Sequence, residues 1–283
     1  MIIDTHVHYW ERSTPARPHA PDGLIWGEEL LAEDLLDRAG EAGVDKIVQV
    51  TASLMGWDNR YSLEAAEAHP DKVVGVFGRF DPLAPGVDDR LAEMMAHPRM
   101  IGVRITLHQP PYDTWLNEGL LEPFLKAVER QSAPLEVFAP FQPTELRDMA
   151  RRYPGIQIMV DHCTTRLLKT RPDRFVLWPE ALRLAEEPNI WMKASGFPEA
   201  SPEGEPYPFP TSQERFRQLY EHVGARRMLW GSNYPPVMRV CSYAEAVAFV
   251  RDECDFIPRE DRNRILGPNF LTYMTAATGH ALA

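Results

Sequence analysis

The chain has 283 residues, of which 44% are hydrophobic and 25% are charged, and its formal net charge is −11 at pH 7. This length and apolar content suit one large domain with a substantial core. An acidic surface is a poor match for nucleic acid, whose phosphates need clustered cations. A small molecule is therefore the expected partner, and the composition leaves homo-oligomer formation open.

The cysteines and the apolar runs indicate the compartment. Cys163, Cys241 and Cys254 show no paired spacing, which predicts a reducing environment and no disulfide framework. The opening MIIDTHVHYW has no basic segment before an apolar one, so no signal peptide is expected. No apolar run approaches the roughly 20 residues that a membrane helix needs. These features predict a cytoplasmic protein.

Short strand-like runs alternate with helix-like segments along the chain. The runs are 1–8, 46–53, 73–80, 100–107, 134–140, 156–163, 190–197 and 227–234. Between most of them, apolar residues recur three and four positions apart, which is the helical period. Such alternation indicates parallel strands, and eight units fit a closed (β/α)8 TIM barrel of α/β class, with residues 1–283 as a single domain. An open doubly wound sheet is the alternative, but no GxGxxG or GK[ST] loop follows any strand.

Two irregular segments exceed what a minimal barrel needs. They are residues 10–27, after strand 1, and the proline-rich residues 198–212, after strand 7. Loops that follow barrel strands meet at the catalytic end, and long loops there are usually lids or binding loops. Trp26 and Tyr207 are therefore predicted to contact the substrate.

Polar side chains gather where the predicted strands end. Strand 1 ends in His6 and His8, which share a face because alternate strand residues point the same way. Later strands end in Arg104, Asp161, His162, Lys193, Ser195, Ser232 and Asn233. A closed barrel would bring these side chains to one end. Structural roles remain open for Arg104 and Lys193, as ion-pairing residues, and for the neighbouring Cys163, as a small buried hydrophobe.

Several motifs resemble those of a known family. IDTHVHYW, MVDHC and LWGSNYP resemble the amidohydrolase-2 branch of the amidohydrolase superfamily. KIVQVTASLMGWDNR, GVRITL, IWMKASGFPEA and GPNFLTYM are similar to segments of the 2-pyrone-4,6-dicarboxylate lactonases within it. The resemblance spans nearly the whole chain. It implies a (β/α)8 barrel that hydrolyses a lactone or a related cyclic ester at the carboxyl ends of its strands.

The resemblance also implies roles for individual residues. His6, His8 and His162 match catalytic histidines, and Arg104 matches an arginine that binds a substrate carboxylate. Asn233 stands where the family has a catalytic Asp.

The substrate-binding set departs from that of the pyrone lactonases. The predicted set is Arg104, Ser195, Trp26 and Tyr207. The family's second carboxylate-binding arginine is absent, because the stretch after Arg104 reads ITLHQPP, and a further arginine would fall at Ala200. A less charged, more apolar substrate with at most one carboxylate is therefore expected.

No metal cofactor is expected, with a single zinc or manganese ion as the alternative. His6, His8 and His162 could supply three nitrogens to such an ion. Asn233 removes the anionic ligand, and a neutral amide binds these ions more weakly than a carboxylate does. A metal-free lactonase is the leading interpretation. A metal-dependent nonoxidative decarboxylase and a ligand-binding barrel that has lost turnover are the alternatives.

Asn233 leaves the general base undefined, because an amide can hold a water molecule but cannot take its proton. If a carboxylate is missing, Asn233→Asp should raise the rate, and this is the expected outcome. If His6, His8 or His162 is the base, a new carboxylate would raise the imidazole pKa values and hold the rings protonated. The same substitution would then lower kcat at neutral pH.

Overall fold

Within the described residues, 1–21, 27–165 and 175–282 of this computed structural model, eight parallel strands form one sheet in chain order. The strands are β1 Ile3–Val7, β2 Lys46–Val50, β3 Val73–Arg79, β4 Met100–Thr106, β5 Leu135–Phe138, β6 Ile158–Val160, β7 Ile190–Ser195 and β8 Met228–Gly231. Nearly every strand residue is buried, because parallel barrel strands are covered on both faces. The predicted (β/α)8 barrel is confirmed.

Amphipathic helices cover the outside of the barrel. They are α1 Ala32–Glu41, α2 Arg60–Ala68, α3 Val87–Met95, α4 Glu122–Gln131, α5 Pro143–Arg152, α6 Trp178–Leu182, α7 Pro210–Val223, α8 Tyr243–Ala248, α9 Arg259–Ile265 and α10 Pro268–Thr278. In α4, Phe124, Leu125 and Val128 are buried, which is the three-and-four spacing of a helix with one apolar face. Among the described residues, no helix is long and apolar enough to cross a bilayer.

The last helix, α10, packs across the amino-terminal ends of the strands. Its Phe270 and Tyr273 belong to an apolar cluster with Phe77 and Trp191 from inside the barrel. The Tyr273 hydroxyl donates to the carbonyl of Leu135, the first residue of β5, at 3.1 Å. The interior is therefore covered at this end of the barrel.

The barrel closes where β8 meets β1. The Thr5 hydroxyl donates to the carbonyl of Trp230 at 2.6 Å. The buried Asp4 carboxylate accepts from the Ser232 amide at 2.8 Å and from the Tyr243 hydroxyl at 2.6 Å. Gly231 permits this approach, because a Cβ there would lie 2.7 Å from the Cβ of His6 and 3.0 Å from its backbone nitrogen.

Every strand ends earlier than the sequence predicted, and the difference is three residues in β2, β6 and β8. β6 ends at Val160 rather than at 163, and β8 ends at Gly231 rather than at 234. His162 and Asn233, the functional candidates at these two ends, have φ values of 51° and 62°. A strand cannot contain this left-handed backbone, so the two side chains lie on turns just beyond their strands.

The long connections after strands 1 and 7 are also confirmed. β1 ends at Val7 and α1 begins at Ala32, while β7 ends at Ser195 and α7 begins at Pro210. The predicted contact residue Trp26 lies outside the described residues.

We expect Gly231→Ala to lower the free energy of unfolding by about 1–3 kcal/mol, the usual range for overpacking. The added methyl meets backbone as well as side chain, so rotation of one side chain cannot relieve the clash. Urea denaturation followed by circular dichroism measures the change.

Gly40→Ala is the matched control, because Gly40 is an exposed residue of α1 with no atom within 4 Å of an added Cβ. That variant should be more stable by about 0.5–1 kcal/mol, through helix propensity. Equal effects of the two substitutions would contradict a sterically required glycine at the seam.

Candidate active site

Two basic and two acidic side chains meet inside the barrel. The Lys193 ammonium lies 2.8 Å from Glu136 Oε2 and 3.5 Å from Asp161 Oδ1. Arg104 Nε donates to Asp161 Oδ2 at 2.8 Å and lies 3.2 Å from Glu136 Oε1. Burial of a single charge is very costly, but paired charges offset much of that penalty. We call these four residues the buried charge cluster.

The two carboxyl groups of the buried charge cluster respond differently to burial. Burial, together with the neighbouring Asp161 charge, raises the pKa of Glu136 to about 8. Burial also acts to raise the pKa of Asp161, but Lys193 and Arg104 hold that pKa well below its usual range. Asp161 is therefore the carboxylate that keeps its charge at neutral pH.

Three histidine rings lie directly above the buried charge cluster. The ring centroids of His6 and His162 are 4.7 Å apart, and those of His6 and His8 are 4.9 Å apart. Burial lowers the pKa of His6 to about 4 and lowers the pKa values of His8 and His162 as well. All three imidazoles are therefore neutral near pH 7, and each can donate one hydrogen bond and accept another.

The outer nitrogens of these rings are held by neighbouring groups. His8 Nδ1 lies 2.7 Å from the Val50 carbonyl oxygen. A carbonyl only accepts, so His8 carries its proton on Nδ1 and keeps a lone pair on Nε2. His162 Nδ1 lies 2.8 Å from the Ser195 hydroxyl. Ser195 thus fixes the ring of His162, and its predicted contact with substrate stays a prediction.

Asn233 faces a carboxylate that the sequence did not single out. Asn233 Nδ2 donates to Glu199 Oε1 at 2.8 Å, and both residues are buried. Glu199 lies in a short 3₁₀ turn, Pro198–Ala200, directly after β7. An ideal Cβ on Gly196 would lie 3.2 Å from Glu199 Oε2, 3.5 Å from His162 Nδ1 and 3.6 Å from Asn233 Nδ2. These three polar groups therefore converge on one point.

The structure brings most of the predicted site residues together. His6, His8, His162, Arg104, Ser195 and Asn233 are linked through the contacts described above. Tyr207 is not linked to this group by any contact among described residues. Its hydroxyl donates to Glu253 at 2.9 Å, which ties the loop after β7 to the outer helical layer.

A candidate metal group exists among the described residues. It contains His6, Asp161 and His162, whose potential ligand atoms lie within 4.8 Å of one another. The sequence had proposed His8 as the third ligand in place of Asp161. Asp161 was the harder ligand to predict, because its role depends on long-range contacts.

Sequence reasoning assigned no role to Glu199 or Glu136. Glu199 follows an apolar pair in the motif GFPEA, and a carboxylate flanked by apolar residues just after a strand was the available signal. Lys193 pairs with the carboxyl groups of Glu136 and Asp161, as the ion-pairing interpretation of the sequence predicted. Cys163 is fully buried, and burial raises the pKa of its thiol, so it is not a reactive nucleophile.

Comparison with known proteins places the chain in a family. Residues 3–269 match the amidohydrolase family, and the chain therefore belongs to that family. It is 28% identical over 277 residues to L-fucono-1,5-lactonase of Burkholderia ambifaria, which covers 94% of this chain and 93% of that relative. The predicted resemblance to lactonase-like amidohydrolases is confirmed.

Two solved structures of lower sequence identity share the barrel. A probable 2-pyrone-4,6-dicarboxylic acid hydrolase from Acinetobacter baumannii with citric acid bound has a TM-score of 0.74 at 20% identity, covering 99% of both chains. An amidohydrolase from Burkholderia multivorans with bound zinc has a TM-score of 0.82 at 18% identity, covering 97% of this chain and 99% of that one. At these identities the similarity shows the fold alone.

We expect Lys193→Met to lower the free energy of unfolding at pH 7 by about 3–5 kcal/mol, because it leaves a buried carboxylate without its cation. Lys126→Met is the matched control, since the exposed Lys126 pairs only with Glu122 on the surface of α4. The control should leave the urea midpoint nearly unchanged.

The deficit of Lys193→Met should also grow with pH. The folded-state pKa of Glu136 is raised to about 8, above its ordinary value of 4.5, so its protonated form favours folding. This contribution is present below the unfolded pKa and is lost as pH rises toward 8. Without Lys193 the loss is larger, so the deficit at pH 8 should exceed that at pH 5. An equal deficit at both pH values would contradict the assignment.

Proposed function

We propose that this protein hydrolyses the ring ester of a lactone at the carboxyl ends of its barrel strands. The observation that carries the proposal is the array of neutral imidazoles above the buried charge cluster, in a chain similar to a lactonase over 94% of its length. Lactone opening needs polarisation of a carbonyl, a bound water and a proton acceptor. Neutral imidazoles serve the first two needs, because each both donates and accepts.

Arg104 supplies the anchor for a carboxylate or a polar ring substituent of the substrate in this proposal. Its bonds within the buried charge cluster run through Nε, so its terminal nitrogens have no hydrogen-bond partner among the described residues. A guanidinium edge of this kind matches a carboxylate or a polar ring substituent. Asp161 and Glu136 hold Arg104 in place through its Nε atom. A substrate with at most one carboxylate fits this arrangement.

A neutral, sugar-derived 1,5-lactone is the substrate class that we test first. The curated relative at 28% identity is named as an L-fucono-1,5-lactonase, and the single anchoring arginine argues against a doubly anionic ring. The proposed substrate is a small molecule, whether it is neutral or carries a carboxylate. The unpaired state of Cys163, Cys241 and Cys254 in the structure supports a reducing compartment such as the cytoplasm.

The reaction that we propose does not use a metal ion. In the candidate metal group, Asp161 is already bonded to Arg104 and faces Lys193. The Lys193 ammonium also lies 3.3 Å from His6 Nδ1. A dication bound there would face two resident cations at close range, and the carboxylate it needs is already neutralised. The donor set therefore fits a divalent ion poorly, and Lys193 supplies the positive charge at this place.

We expect the purified protein to open a ring in a panel of sugar 1,5-lactones, with unchanged kcat after EDTA treatment and buffer exchange. Proton release into a weak buffer with a pH indicator measures the rate against spontaneous hydrolysis. Elemental analysis of the same samples gives the metal content.

Two results would contradict parts of this proposal. No turnover on any lactone of the panel would reject lactone hydrolysis. Loss of activity on chelation, with recovery on addition of zinc or manganese, would reject the metal-free route while keeping the reaction. Release of carbon dioxide from an aromatic acid would instead favour the decarboxylase alternative.

A further inference from the structure

We propose that Phe138 is the specificity-determining residue of this site, and that its ring is the apolar wall that contacts an apolar substituent of the lactone. The inference rests on the proposed function and deepens it, because it names the feature of the lactone that the site selects. The evidence is the exposure of the strand ends, the direction of the Phe138 side chain and the polarity of its neighbours.

Partly exposed residues at the strand ends show where a ligand can touch the site. The last residue of each strand and the two that follow it include six such residues: His8, Asp81, His108, Phe138, His162 and Gly196. Four of them carry polar side chains, and glycine carries none. Phe138 is therefore the one apolar side chain that these strand ends offer to a ligand.

The strand β5 directs the Phe138 side chain into the site. Alternate residues of a strand point to the same face, so Phe138 shares a face with Glu136, a member of the buried charge cluster. The Phe138 carbonyl accepts from the Leu107 amide at 2.7 Å, which ties the end of β5 to the residue that follows β4. The position of the ring therefore depends on the barrel wall rather than on a loop.

The neighbours of the Phe138 ring are residues of the candidate site. Its centroid lies 5.2 Å from that of His162, with an interplanar angle of 86°, and 5.7 Å from the guanidinium carbon of Arg104. The ring centroid of His108 is 5.7 Å away. A lactone ring that reaches from Arg104 to His162 therefore lies against the Phe138 ring.

An apolar wall among polar neighbours sorts lactones by the polarity of one substituent. A hydroxyl group pressed against a phenyl ring loses its hydration and gains no hydrogen bond, which is unfavourable. A methyl group in the same place gains free energy by leaving water. The polar side chains around Phe138 suit the ring hydroxyls and the carbonyl. The site therefore matches a polar lactone ring that carries one apolar substituent.

The substituent at C5 of a sugar 1,5-lactone is the group that we assign to this wall. C5 is joined to the carbonyl carbon through the ring oxygen alone, so its substituent stays close to the carbonyl that the imidazoles polarise. The Phe138 ring is likewise next to His162. Sugar lactones carry a methyl, hydroxymethyl or carboxylate group at C5, and the apolar wall favours the methyl group.

The first measurement compares two 1,5-lactones of the ring configuration that the wild type opens fastest, one with methyl and one with hydroxymethyl at C5. L-fucono-1,5-lactone and L-galactono-1,5-lactone are such a pair. We expect kcat/KM to be about tenfold or more higher for the methyl compound, as one substituent in an apolar pocket can provide. Equal kcat/KM values for the two lactones would overturn the proposal.

The variants Phe138→Leu and Phe138→Asn separate the polarity of the wall from its shape. Leucine and asparagine are similar in shape and both remove the aromatic ring, but only asparagine can bond to a hydroxyl group. We expect Phe138→Leu to keep the preference for methyl, although both kcat/KM values fall. Phe138→Asn should lower the methyl-to-hydroxymethyl ratio of kcat/KM by about tenfold or more. A merely structural role would give both variants the same ratio, and that result would overturn the assignment.

Phe256→Leu is the matched control, because the partly exposed Phe256 ring also has a cation over it, with the Arg217 guanidinium carbon 4.3 Å from its centroid. Arg217 lies on α7 in the outer helical layer, so both kcat/KM values should stay at the wild-type level. Thermal unfolding of each variant checks that the fold is intact. If Phe138→Asn does not fold, Phe138→His makes the same test with a polar ring.

The two proposals fail differently in these experiments. A wild type that opens no lactone rejects the proposed function and this inference together. An active wild type whose preference between the two lactones does not depend on the polarity of residue 138 rejects the inference alone.

Discussion

The pairing of Lys193 with Glu136 and Asp161 inside the barrel is the constraint on which the site depends. A buried carboxylate needs a cation close by, and here an ammonium from β7 lies between carboxylates contributed by β5 and the turn after β6. The same carboxylates hold Arg104 from β4. Ion pairs thus join four successive segments of the barrel wall: β4, β5, the turn after β6, and β7. His6 from β1 contacts both carboxyl groups of this cluster.

Charge balance in this cluster also determines the chemistry above it. Burial keeps the pKa values of His6 and His162 low, and Lys193 and Arg104 oppose the Asp161 charge that would otherwise favour the charged rings. A site with neutral rings polarises a carbonyl by hydrogen bonding and leaves proton uptake to another group.

The fold could be predicted from sequence because it depends on local patterns. Alternating strand and helix periods specify the barrel, and position at strand ends brought His6, His8, His162 and Asn233 together. Contacts between distant segments could not be predicted in this way. The Glu199–Asn233 bond joins residues on different loops, and Asp161 is a cluster member only because Arg104 and Lys193 reach it. The early ends of β6 and β8 depend on left-handed turns, which apolar periodicity does not reveal.

The seam between β1 and β8 has a consequence for how the protein is made. During synthesis on the ribosome, β1 emerges before the other strands, but its closing partners Trp230, Ser232 and Tyr243 emerge only after the six strands β2 to β7. The helix α10, which covers the amino-terminal ends of the strands, comes later still. One edge of the growing sheet therefore lacks its neighbour through most of translation, and unpaired edges promote aggregation. Slower translation or added chaperone should improve soluble yield more for this chain than for proteins whose neighbouring elements pair as they emerge.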